Sequence, residues 1–194
     1  ITLKSAREIE AMDKAGDFLA SIHIGLRDLI KPGLDMWQVE EYVRRRCKEE
    51  NFLPLQIGVD GAMMDYPYAT CCSLNDEVAH AFPRHYILKD GDLLKVDMVL
   101  GGPIAKSDLN VSKLNFNNVE QMKKYTQSYS GGLADSCWAY AVGTPSEEVK
   151  NLMDVTKEAM YKGIEQAVVG NRIGDIGAAI QEYAESRGYG VVRD

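Results

Sequence analysis

Long apolar runs are missing. No stretch approaches the roughly 18 residues of a membrane span, so no membrane segment is expected. Positive charge is in deficit, 22 Lys+Arg against 29 Asp+Glu, for a net charge of −7. That balance argues against nucleic-acid binding, which needs a basic face to displace phosphate counterions. The opening residues, 1–10, have neither the basic start nor the apolar core of a secretory signal, which points to the cytoplasm. Cysteine is sparse: Cys47, Cys71, Cys72 and Cys137 form no CxxC pair, and the adjacent Cys71 and Cys72 would make a strained disulfide. All four are expected as free thiols, not as a zinc site. Histidine is scarcer still, with 3 residues, and no GxSxG, P-loop, HExxH or dinucleotide fingerprint is present. What is left is a globular composition, 45% hydrophobic and 26% charged over 194 residues. It excludes collagenous, coiled-coil and disordered classes and leaves room for a sizeable core.

Capping boxes mark three helix starts. Ser5-Ala6-Arg7-Glu8 opens the first, and Ile9, Met12, Gly16, Leu19, His23, Leu26 and Ile30 follow at helical spacing. Asp35-Met36-Trp37-Gln38 opens the second, with Val39, Val43 and Cys47 on one side. Thr144-Pro145-Ser146-Glu147 opens the third, with proline expected at the first helical position. A fourth helix follows Gly174-Asp175 and stops at Gly188. The four look like two copies of one helix pair. Met12-Asp13 matches Met153-Asp154, and Gly33, Val39, Val43 and Phe52 match Gly170, Ile176, Ile180 and Tyr189. The two offsets differ by about one helical turn, so a shortened helix keeps the same face inward.

Residues 68–75, 92–100 and 133–142 read as strands, with Asp90-Gly91 as a tight turn before the second. Helices flanking strands in this order predict an α/β (α+β) domain. Between the last two strands, residues 101–130 are rich in Asn, Lys, Ser and Gln and predict an exposed insertion. Met122 and Tyr125 are placed on a short surface helix there. In the second copy, Val191-Val192-Arg193-Asp194 begins what should be a strand, and the expectation is of a chain that continues beyond it.

Asp97 stands in the most apolar strand, where a carboxylate is costly without hydrogen bonds, a cation or a metal. A solvent-facing strand aspartate is the plain alternative, since Lys95 points to the same side. Asp135 repeats the theme in the next strand, and two such carboxylates make a plausible hard-metal pair. His80 lies in a loop just past a strand, where either a functional or a merely exposed residue is at home. His23 falls on the apolar stripe of its helix and is expected to pack there, and His85 to be solvated.

Taken together, several motifs resemble those of the bacterial type I methionine aminopeptidases. They are Lys31-Pro32-Gly33, Tyr66-Pro67, Cys71, Ser73, Asn75-Asp76-Glu77-Val78-Ala79-His80 and Lys89-Asp90-Gly91-Asp92 with Val96-Asp97. Asp135-Ser136 leading to Val142-Gly143, Ile176-Gly177-Ala178-Ala179-Ile180-Gln181 and Gly188-Tyr189-Gly190-Val191-Val192-Arg193 complete the set. The resemblance runs along residues 1–194 apart from the insertion. It implies a pseudo-two-fold pita-bread fold, one catalytic domain over 1–194 whose second half is incomplete, and the cytoplasm as its location.

It also implies removal of the initiator methionine from nascent chains and peptides with a small second residue, using two divalent metal ions (Co, Mn, Fe or Zn). The metal-ligating aspartates match Asp97 and Asp135. The family's usual spacing would fall on Asp108, but only Asp135 is followed by a strand running into Val-Gly and the third helix. His80 matches the substrate-facing histidine, with Ala81 in place of the usual glycine, and Tyr66 and Cys71 match positions that line the methionine pocket. The remaining His and Glu ligands would lie beyond Asp194. The implied partners are therefore peptide N-termini, the ribosome, and the rest of the protein as a continuation or second chain. A non-catalytic binding protein or a proline-specific peptidase of the same fold is the alternative.

Overall fold

The first helix has its reasons in view. Ser5 accepts from the Glu8 amide at 3.3 Å while the Glu8 carboxylate accepts from the Ser5 amide at 2.7 Å, closing the expected capping box. From there α1 (Ala6–Leu29) buries Ala15, Phe18, Leu19, Ile22, His23 and Leu26 along one stripe. The computed structural model describes residues 3–192. They fall into two compact units, divided after Gly143.

In the first unit α2 (Trp37–Glu50) begins differently from the sequence expectation. Met36 is its N-cap and no side chain caps it in the usual way. The Asp35 carboxylate instead accepts from the Trp37 amide at 3.1 Å and from the Tyr86 amide at 3.1 Å. A distant loop competes successfully for the capping group. The strands are β1 (Leu53–Pro54), β2 (Cys71–Leu74), β3 (Leu93–Gly101) and β4 (Leu133–Ala141). All pair antiparallel with the central β3: β1 and β2 along one edge, β4 along the other. Alternation sorts β3 into two faces. Leu94, Val96, Met98 and Leu100 are fully buried in the core with α1 and α2, whereas Lys95, Asp97 and Val99 are half-buried on the other side.

Residues 102–132 join β3 to β4, and here the expectation of an exposed arm fails. A 3₁₀ turn at Val111–Lys113 and the helix α3 (Val119–Ser128) lie within them. Val111, Leu114, Phe116 and Met122 are buried in the same core as β1 and β3, and Leu109, Tyr125 and Tyr129 pack against it. Polar average composition concealed four apolar residues spaced to reach one surface. Asn51, the left-handed cap of α2 (φ 61°), fastens the segment. Its amide nitrogen donates to the Ile104 carbonyl at 2.6 Å and the Leu109 carbonyl at 2.9 Å, while its oxygen accepts from the Val111 amide at 2.8 Å. The short surface helix around Met122 is present as expected.

His23 packs as the sequence predicts, stacked on Trp138 at 4.8 Å. Its Nδ1 shares a hydrogen bond with the Tyr140 hydroxyl at 2.7 Å, its Nε2 lies 3.3 Å from the Ser136 carbonyl oxygen, and the Tyr140 hydroxyl also lies 3.1 Å from the His23 carbonyl oxygen. Burial lowers its pKa from 6.5 to about 4. Protonation is therefore easier in the unfolded chain. Stability is complete above pH 6.5 and is lost as the pH falls towards 4, by up to about 3 kcal/mol. His23→Gln should remove that slope. Urea titrations at pH 7 and pH 4, followed by tryptophan fluorescence, will show a smaller acid loss in the variant. Equal losses would refute the assignment.

In the second unit, α4 (Glu147–Glu165) starts from Ser146, whose hydroxyl accepts from the Val149 amide at 3.2 Å. The helix thus begins after Pro145, which lies outside it, correcting the expected start. α5 (Ile173–Glu185) begins with the Asp175 carboxylate accepting from the Arg172 amide at 2.6 Å. The two helices meet where Gly163 faces Ile176 and Ile180; a Cβ there would come within 2.8 Å of Ile180. α4, at 19 residues, is shorter than α1, at 24, as the duplication requires. Of the expected final strand, Val191 and Val192 take no strand pairing, and Arg193 and Asp194 lie outside the described residues.

Candidate active site

Register fixes the geometry. Asp97 on β3 stands opposite Cys71 on β2 and Cys137 on β4, and Asp135 stands opposite Val99. Opposed residues in an antiparallel ladder share a face, so Cys71, Asp97, Cys137 and Asp135 project to the same side. Asp97 and Asp135 are diagonal neighbours on it, roughly 7–8 Å apart. Asp97 is half-buried and Asp135 exposed. Burial first, and the Asp135 charge second, push the Asp97 carboxyl above the usual carboxylate range, with His80 opposing. The side chains brought together are therefore Asp97, Asp135, Cys71, Cys137 and His80. Asp108 is not among them: it is exposed on the inserted segment, where it accepts from the Ser107 hydroxyl at 3.1 Å.

His80 is exposed and holds a left-handed backbone (φ 59°), which costs a non-glycine residue free energy and is found disproportionately at functional sites. The chain on either side holds it there. The Ala81 carbonyl accepts from the Cys72 amide at 2.9 Å, and the Ala81 amide donates to the Ser73 hydroxyl at 3.3 Å. Asn75, also left-handed (φ 52°), accepts from the Leu93 amide and donates to Asp92, tying the loop back to β3. Tyr66 donates its hydroxyl to the Thr70 carbonyl at 3.0 Å and, more weakly, to the Ala81 carbonyl at 3.3 Å. It lies against the Cys71 thiol and edge-on to Tyr68 and Phe82. Burial raises the Cys71 pKa, so the thiol stays protonated. All four cysteines are free thiols, as the sequence predicts.

Two supporting residues escaped the sequence reading. Glu40 is fully buried on α2; it accepts from the Ala69 amide at 2.8 Å and the Thr70 hydroxyl at 2.6 Å, and pairs with Arg44. Its signal was an i, i+4 Glu–Arg pair on a buried stripe. Gln56 donates to the Cys71 sulfur at 3.4 Å, and its buried carbonyl oxygen has no protein partner. Nothing in the local pattern announced it.

Two facing carboxylates are hard oxygen donors whose mutual repulsion a cation relieves, which suits them to a divalent metal. Among the described residues no group of three or more His, Cys, Asp and Glu side chains is gathered closely enough to hold one, so the pair supplies part of a donor set. No described helix is long and apolar enough to cross a membrane.

Comparison with known proteins identifies the family. The model of metallopeptidase family M24 matches residues 10–103 and 124–194. A methionine aminopeptidase of Clostridium acetobutylicum is 35% identical over 195 residues, covering all of this chain and 66% of that protein. A solved structure, described as revealing a novel structural motif in methionine aminopeptidase from Streptococci with possible post-translational modification, is 98% identical with a TM-score of 0.93. It is matched over all of this chain and 68% of its own. The methionine aminopeptidase of Thermotoga maritima is 33% identical with a TM-score of 0.80, over all of this chain and 66% of its own. The chain thus spans about two thirds of the length of these relatives. With the family model matched on both sides of the inserted segment and the same backbone found in solved relatives, the chain belongs to metallopeptidase family M24.

Proposed function

We propose that the protein removes the N-terminal methionine from peptides and nascent chains by metal-assisted amide hydrolysis. The observation that carries this reading is the shared face of Asp97 and Asp135, with His80 beside it and Tyr66 and Cys71 at its β2 edge. Asp97 and Asp135 are proposed to hold two divalent ions, with the remaining donors from the part of the relatives' length outside this chain. When bound, the ions polarise the scissile carbonyl and lower the pKa of water. The chain's own residues do the rest. His80, held at the rim by its loop, donates a hydrogen bond to the peptide as charge develops on the scissile oxygen. Tyr66, Cys71 and Gln56 form a half-polar wall suited to a thioether side chain. Both units are proposed to be parts of one pita-bread catalytic domain.

The test uses the protein at the relatives' full length, stripped of metal and reloaded with Mn²⁺ or Co²⁺. Free methionine is expected from Met-Ala-Ser only after reloading, and none from the N-acetylated peptide. Preference for a peptide with proline in second place would favour the proline-specific reading, and no hydrolysis of either would leave a binding protein.

A further inference from the structure

The segment that the M24 family model leaves unmatched, residues 104–123, ends on Lys123 at the heart of α3. That residue does more than sit on a surface helix. Its ammonium meets both Asp60 and Asp65, the latter at 2.9 Å and 3.0 Å, and so bridges the two sides of an exposed loop tip. The tip has no core of its own: Val59, Met63 and Met64 all face solvent. One turn on, the Thr126 hydroxyl donates to the Ile57 carbonyl at 3.0 Å. Between them Gly58, at φ +89°, lies so close beneath α3 that a Cβ would come within 2.7 Å of the Lys123 Cα. The strip 57–59 is therefore held from one side by α3. From the other side it carries Tyr66: the Gly58 amide donates to the Tyr66 carbonyl and the Tyr66 amide to the Val59 carbonyl, each at 2.8 Å.

We propose that Lys123 is a positioning residue for Tyr66: through the strip 57–59, the inserted helix clamps the loop that shapes the pocket for the substrate's first side chain. The pocket role rests on the aminopeptidase reading above. The chemistry is a charge balance. The Lys123 ammonium pairs with both Asp60 and Asp65, and its hydrogen bond holds the Asp60 carboxyl below the usual carboxylate range. Without that charge the two sides of the tip repel, and the Gly58–Tyr66 pairing loosens. Lys123→Met keeps the aliphatic stem and removes only the charge.

Two measurements on the full-length protein test this. Hydrogen–deuterium exchange over residues 57–66 should rise roughly 3–10-fold in Lys123→Met, the scale of losing an exposed charge pair, and return to the wild-type rate in Lys123→Arg. With Met-Ala-Ser, KM should rise by roughly the same 3–10-fold while kcat stays within about twofold, again restored by arginine. Unchanged exchange overturns the clamp. Faster exchange with unchanged KM, in an enzyme that does release methionine, overturns the pocket role. If the wild type releases no methionine, faster exchange supports the clamp, while the pocket role falls with the aminopeptidase reading.

Discussion

Asp97→Asn and Asp135→Asn will each lower metal-supported methionine release by about a thousandfold or more, while Asp108→Asn will leave it within about twofold. Asparagine keeps the size of aspartate but removes the anionic oxygen that a hard cation requires, and metal activation of an amide is worth several kcal/mol, about 1.4 kcal/mol per tenfold in rate. Neither change threatens the fold. Asp135 is exposed, and Asp97 is half-buried beside another carboxylate whose repulsion the amide relieves. Asp108 sits on the inserted segment with Ser107 as its hydrogen-bond partner, away from the β3–β4 face. The readout is free methionine from Met-Ala-Ser in the full-length protein, with bound metal measured in parallel. Activity lost on Asp108→Asn with folding intact would overturn the choice of ligands.

Asn51→Ala will destabilise the first unit by about 3–5 kcal/mol. One side chain here satisfies the carbonyls of Ile104 and Leu109 and the amide of Val111. Each buried polar group left without a partner costs about 1–3 kcal/mol, and alanine is also poorer than asparagine at φ 61°. Beneath those bonds lie Val111, Leu114, Phe116 and Met122, so the inserted segment detaches with its share of the core. Asn110→Ala is the control. It removes a cap from the exposed side of the same 3₁₀ turn and should cost under about 1 kcal/mol. Urea unfolding followed by Trp37 and Trp138, both in residues 1–143, reads the first unit. A small effect at Asn51 would mean that the segment is a detachable arm after all.

How much of this was legible beforehand differs by residue. The α1 stripe and the strands β3 and β4 follow from local period, because side-chain direction repeats every 2 or 3.6 residues; period offered Asp97 and Asp135 as one candidate pair, and the family resemblance chose Asp135 over Asp108. The start of α2 did not, because Asp35 answers to Tyr86, a residue 51 positions away. The inserted segment misled for a related reason. Its surface residues dominate its composition, while the residues that decide its fate are few and are held by Asn51 from another element. Glu40 and Gln56 likewise owe their positions to distant partners, Ala69 and Thr70 for the one and Cys71 for the other. Local periodicity was readable; sheet register and long-range polar partners were not.

The β3–β4 face is proposed as a metal centre. The most direct measurement is an anomalous-difference map, recorded at the manganese edge from crystals of the full-length protein grown with Mn²⁺. Density is expected in coordination contact with the carboxylates of both Asp97 and Asp135, and none at Asp108. Anomalous density elsewhere, with Asp97 and Asp135 bare, would contradict it.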